Sequence, residues 1–528
     1  MNLSKRQIIF FSLFLVGIIH WYLFMNLGNP TFKHFDWNHT HQVHDTIKQS
    51  VKELKIPYHV TMFDVPNRDM LTGEIASEDK IYESLNGPFT IRWLTHGHPH
   101  VSPHLILLSF FYVPTMMTLN VMIFFSIGFW GILLWIKKLN LSIPASMFLF
   151  SIWSFNGYIV SKVGVGILGG AQAFLYAPMF CWLIYQFIQR QDLHWKENVK
   201  NVILFSLFIF FAKLNSNGQN VQQFLLVGTV IILFYPRQWL WYAGAMALSL
   251  LLMTFYIVPH AMFSPYVILG ERLMQGGYGW WPYGWGPFEI ISLPWGLEKI
   301  AYHIFNNIYH VWISLIISFD ASFDFNWAFN LYVSLFGFIL LFCCSAAFFI
   351  KSYRTKAPLN LRVFIAFCFV SVLSLSLISA EIYNNLIVKY IYEIPLLDRL
   401  PSRLALYPLS LVFLIAALGF DYFFQIFPSK IRELTKYISI IILLYFLLTH
   451  SYEWFVISTE SYEPRYPWLG VSIFKTNILD MPGDEQYIRI VNISYLISFI
   501  TALISLSVLF FVRIKKTSYI KSSKKPYV

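Results

Sequence analysis

Charged side chains are scarce in this sequence. Asp, Glu, Lys and Arg make up 12% of its 528 residues, against 57% hydrophobic and 19% aromatic. With a mean hydropathy of +0.57, that excludes a soluble chain of this length and points to a multi-pass membrane protein. Cysteine is sparse too: Cys181, Cys343, Cys344 and Cys368 all lie in apolar runs. Such placement argues against a disulfide framework or a thiolate zinc site. Neither H-E-x-x-H nor D-x-D occurs, so no recognised metal signature is present. There is no short solenoid period and no pair of similar halves, the second of which many transporters show.

The base excess, +11 overall, falls in short clusters between apolar runs instead of along one face. This removes a nucleic-acid partner and fits the positive-inside rule. Cut at about 20 apolar residues per helix, the chain gives about a dozen spans. They are expected at 8–26, 118–136, 143–161, 171–189, 199–214, 221–236, 239–259, 327–350, 361–380, 403–425, 437–456 and 491–512. Lys5 and Arg6 precede the first, which reads as an uncleaved anchor. Lys137 and Lys138, Arg190 to Lys200, Arg237, Lys351 to Arg362, Lys430 to Lys436 and the tail 513–528 then share one side. Both termini are therefore expected in the cytoplasm of a plasma-membrane protein.

The fold class that follows is all-α and polytopic. An anchor occupies 1–26, a first extracytoplasmic loop 27–117, and a transmembrane bundle 118–259. A second outer loop covers 260–326, and a further bundle 327–512 carries outer loops at 381–402 and 457–490. In the first loop, Val43, Ile47, Val51 and Leu54 recur at helical spacing, predicting an amphipathic helix in the membrane interface. Leu105–Thr115 is a second short apolar piece, kept from joining the next span by Pro103 and Pro114. Lys213 to Gln223 places a cation and many amides between two apolar stretches. It is either an external turn or the lining of a wet cavity.

Several residues could carry chemistry. Asp36, about ten residues beyond the first span in Phe35-Asp36-Trp37, is placed to act as a general base on a hydroxyl at the membrane surface. His39, His41 and His44 form one cluster, and His96, His98, His100 and His104 another. Alternate or i,i+4 histidines can meet at a metal, so a divalent metal is left open, though no cofactor is certain. Trp281 lies in the Gly276–Gly286 run of aromatics and glycines, suited to a sugar face or an isoprenoid chain. Arg399 and Arg403 present guanidinium forks that could hold a lipid phosphate.

Three segments resemble a known family. They are Trp93-Leu-Thr-His96-Gly-His98-Pro99 with its following Ser102-Pro103, Phe155-Asn-Gly-Tyr158 with Ala171 to Pro178, and Leu397-Asp-Arg399-Leu-Pro-Ser-Arg403. Together with a first span, a large loop opening on an Asp and many further spans, the chain is similar to the GT-C class of integral-membrane glycosyltransferases. Within that class it looks most like the YfhO-type family of bacterial membrane proteins. The resemblance implies transfer of a sugar from a polyprenyl-phosphate donor to an extracytoplasmic acceptor glycan, polymer or lipid. Asp36 would be the base, with Arg403 and Arg399 at the donor phosphate. Trp93, His96, His98, Lys213 and Trp281 would shape the substrate sites. A glycan polymerase or ligase, and a transporter of lipids or lipid-linked sugars, are the alternatives.

Overall fold

A computed structural model describes residues 5–28, 37–62, 89–93, 102–156, 168–189, 195–215, 231–263, 335–354, 406–425, 427–459, 477–479 and 483–522, with isolated positions at 159, 163, 225, 228 and 229. The described chain is mostly helical: α1 (Lys5–Phe24), α2 (Trp37–Glu53), α3 (Val113–Leu139), α4 (Ile143–Ser154), α5 (Leu168–Gln189) and α6 (Trp195–Asn215) come first. They are followed by α7 (Trp239–Leu252), α8 (Thr254–Phe263), α9 (Leu335–Arg354), α10 (Leu406–Gln425), α11 (Ser429–Thr459) and α12 (Glu485–Ser522). Among the described residues, α1, α3, α5 and α12 contain stretches long and apolar enough to cross a membrane. Large apolar side chains on the outside, such as Phe499, Phe510 and Trp130, suit contact with hydrocarbon. The expected span at 361–380 and the opening residues 221–224 of the one at 221–236 lie outside the described residues.

Two expected spans are interrupted. The helix begun at Ile143 stops at Ser154, short of the expected 161, because the buried Asn156 turns back on it. Its Nδ2 donates to the carbonyls of Ile152 (3.2 Å) and Trp153 (2.9 Å), supplying partners the helix end would otherwise lack. The expected span 239–259 is bent by 68° between α7 and α8. The break frees backbone groups, and the amide of Phe255 finds a partner in Ser498 Oγ on α12 at 3.0 Å, as a broken helix in lipid requires.

Close helix packing follows from small residues. A Cβ on Gly128 or Gly131 of α3 would run into the backbone of α5 at Leu175 and at Pro178–Met179, and one on Gly419 of α10 into the Cys344 carbonyl of α9. Around these crossings the core is aromatic. Phe14, Phe125, Phe129, Phe150 and Phe155 make successive ring contacts at 5.3–6.3 Å. At the basic end of the bundle Arg6 donates to the Leu141 carbonyl at 2.8 Å. Beside it, Asp421 accepts from the amide and hydroxyl of Ser142 at the start of α4, a favourable place for a carboxylate at a helix N-terminus.

The helical class is joined by one small sheet that the hydrophobic pattern does not announce. Strands β1 (His59–Met62), β2 (Phe89–Arg92) and β3 (Asn477–Leu479) pair antiparallel in the order β2-β1-β3. Val60 faces Ile91 on one side and Ile478 on the other. The expected loops 27–117 and 457–490, assigned to one side by charge, are thus hydrogen-bonded to each other.

Candidate functional site

The helix α2 begins at Trp37, immediately after Asp36 in the chain. Its inward stripe is the expected one for Val43 and Ile47, which are buried, with Val51 packed against the core. Leu54 departs from it: with φ of 53° it ends the helix and is exposed. His44 shares the buried face, its Nδ1 2.7 Å from the Thr40 carbonyl, while Nε2 has no hydrogen-bond partner. Burial pulls its pKa down to about 4, with the neighbouring His41 and His104 acting in the same direction.

Beneath α2 runs a polar chain through otherwise apolar packing. Asn215 at the end of α6 donates through Nδ2 to Ser102 Oγ (2.9 Å), which stands 2.9 Å from His104 Nδ1. His104 Nε2 in turn is 2.7 Å from Asn120 Oδ1 on α3. An amide oxygen only accepts, so Nε2 carries the ring proton and Nδ1 accepts from the Ser102 hydroxyl. Burial lowers the pKa of His104 despite the bond to Asn120. The result is a directed relay of neutral donors and acceptors linking α6, the Pro103–Ser109 turn and α3.

Lys213, one of the expected binding residues, lies two positions before Asn215. It is 3% exposed, and its Nζ has no hydrogen-bond partner among the described residues. The Nζ instead sits 3.2 Å from the centroid of the Tyr256 ring on α8. The amide oxygen of Asn215 is likewise buried without a donor among the described residues. Of the two readings of the Lys213–Gln223 island, the described part, Lys213 to Asn215, is interior. Among the described residues the Lys213 amine faces a ring and no carboxylate, a setting in which an ionisable group is costly to bury.

A second polar group clamps the sheet. Arg92 forks onto Asp484, Nε to Oδ2 at 2.7 Å and Nη2 to Oδ1 at 2.9 Å. His59 Nε2 meets the same Oδ2 at 2.7 Å. The guanidinium lies over the rings of Phe263 and Tyr487, 5.1 and 5.4 Å from their centroids. Burial alone would raise the Asp484 carboxyl, but the hydrogen bonds and charges of Arg92 and His59 outweigh it and hold the group below the usual carboxylate range. Trp93, another expected binding residue, is buried at the end of β2, its amide bonded to the Tyr58 carbonyl at 3.0 Å.

The structure therefore joins Asn215, Ser102, His104 and Asn120 beneath α2 and sets Lys213, two positions before Asn215 on α6, against Tyr256 of α8. Asp36, His96, His98, Trp281, Arg399 and Arg403 lie outside the described residues. Sequence reasoning touched Ser102 only within the Ser102-Pro103 motif and Asn215 only within the amide-rich run Lys213 to Gln223, and it passed over Asn120, His59, Arg92 and Asp484; for Asn120 the sole signal was an amide set in an apolar run. Among the described residues no three His, Cys, Asp or Glu side chains are grouped so as to hold a metal ion. Compared with family models, with curated proteins and with solved structures, the chain finds no match in any of the three.

Proposed function

We propose that this chain is a GT-C-type membrane glycosyltransferase that moves a sugar from a polyprenyl-phosphate donor to an extracytoplasmic acceptor glycan, polymer or lipid. In this reading about twelve spans carry the chain across the plasma membrane, and both termini are cytoplasmic. The observation that supports it is Lys213: an amine buried among apolar helices with no acceptor among the described residues, two positions before the Asn215 that enters the polar relay under α2. Ionisable groups at such depth mark ligand paths far more often than they add stability.

The chemistry is a single displacement. The Asp36 carboxylate takes the proton of the acceptor hydroxyl, whose oxygen attacks the anomeric carbon. The bond from that carbon to the phosphate oxygen breaks, and its electron pair leaves on the lipid phosphate. Lys213, with Arg403 and Arg399, compensates the charge that develops there. One displacement inverts the anomeric centre. Trp93, His96, His98 and Trp281 belong to the walls of the substrate sites in this scheme.

Removing the gene should leave one polyprenyl-phosphate sugar accumulating in lipid extracts, its mass naming the donor. Complementation with Asp36→Asn should fail to clear it, although the variant reaches the membrane at the wild-type level. An unchanged lipid pool together with normal surface glycan in the deletion strain would overturn the assignment. Shortened glycan chains would favour a polymerase. Movement of labelled lipid in proteoliposomes without sugar transfer would favour a transporter.

A further inference from the structure

At the opposite end of α1 from the α2 region, α1 and α3 leave a slot of about 600 Å³ between them. Phe14 packs on Phe125 and Phe129, while Gln7 of α1 and Lys137 of α3 both line the slot. The two helices therefore run antiparallel and bring their basic ends to one place. The slot walls are Phe10, Phe11 and Phe14 from α1 and Trp130, Leu133 and Leu134 from α3. In each helix these positions recur at three- and four-residue spacing, so two apolar stripes face across the gap.

The cations near the mouth are not equivalent. Arg6 is committed to the Leu141 carbonyl and lies over the Phe10 ring, and Lys138 lies over Tyr185. Lys137 is exposed at the rim of the slot and has no ion-pair partner among the described residues.

We propose that this slot is a binding site for one anionic glycerophospholipid. Its acyl chain lies between the aromatic walls and its phosphate meets Lys137. The volume falls within the range of ordinary ligand sites. An apolar cleft ending in a cation at a basic membrane face has the complementarity that separates an anionic lipid from a zwitterionic one. The site is independent of sugar transfer.

The test uses the full-length protein in detergent, with phosphatidylglycerol and phosphatidylcholine of identical chains as probes and native mass spectrometry as the readout. Phosphatidylglycerol should be retained at one copy, about fivefold over phosphatidylcholine, the worth of one basic residue near the lipid surface. It should also raise the melting temperature. Lys137→Gln should abolish the preference and the thermal shift, Lys137→Arg should keep both, and Lys138→Gln should leave both unchanged. Equal retention of the two lipids by the wild type would overturn the proposal. So would an equal loss in Lys137→Gln and Lys138→Gln, which would mean diffuse attraction to a basic surface.

Discussion

At the scale of single residues, Lys213 separates stability from function most sharply. Its contact with Tyr256 contributes about 2 kcal/mol or less, whereas burying an ammonium without an acceptor costs several kcal/mol. Methionine has nearly the same length and no charge to desolvate. Lys213→Met is therefore expected to melt at or above the wild-type temperature, yet to lose at least about tenfold in sugar transfer, about 1.4 kcal/mol of transition-state stabilisation. Thermal denaturation in detergent and a transfer assay read the two effects separately, and full activity in this variant would remove Lys213 from the donor site. Leu54 makes a different point at the same scale. It continues the periodicity of Val43, Ile47 and Val51, but a left-handed backbone sends it out to solvent, and nothing in hydrophobic spacing encodes that reversal.

Among the elements, the crossing of α3 and α5 rests on the absence of a side chain. A Cβ at Gly128 would overlap the Leu175 carbonyl, and neither backbone can yield without separating the helices. Gly128→Ala should cost about 1–3 kcal/mol by overpacking. Gly244 in α7 has nothing within 4 Å of its would-be Cβ, so Gly244→Ala should be neutral or stabilise by about 0.5–1 kcal/mol. Opposite shifts in melting temperature check the pair; a loss at Gly244 matching that at Gly128 would mean that helix propensity and close approach had been confused. Hydropathy located α1, α3, α5 and α12 well because each is a long apolar run. It missed the stop at Asn156, since one amide hardly alters a window average. It also missed the bend after Leu252, where no proline or glycine stands at the break and the relieving hydroxyl, Ser498, is more than two hundred residues away.

For the molecule as a whole, the β sheet and the Asp484 clamp hold remote parts of the chain together. Asp484→Asn removes the charge on which Arg92 and His59 converge and should cost about 1–3 kcal/mol, the range for hydrogen bonds to an ionised group. Because the folded carboxyl titrates below its unfolded value near about pH 4, its contribution is complete above that pH. It is lost as pH falls through the lower folded value. Hydrogen-exchange protection at residues 59–62, relative to the intrinsic rate at each pH, should therefore fall on acidification in the wild type and be low already at neutral pH in Asp484→Asn. Equal protection in both proteins at pH 7 would show that the strands do not need the clamp. This arrangement was not legible beforehand. Strands of three and four residues give no alternation to count, and the pairing of Val60 with Ile478 is a fact about two loops that only the folded bundle brings near one another.

That pairing also sets an order of events during biogenesis. About 400 residues separate β1 from β3, and at about 5–20 residues per second of synthesis β1 emerges roughly 20–80 s before its second neighbour exists. Throughout that interval one edge of β1 is an open template for any passing strand. Its brevity limits the hazard, because four residues offer a stray chain little to grip. The segment made late is thus the latch of the early one, and a ribosome that stalls before residue 477 would leave the sheet unfastened.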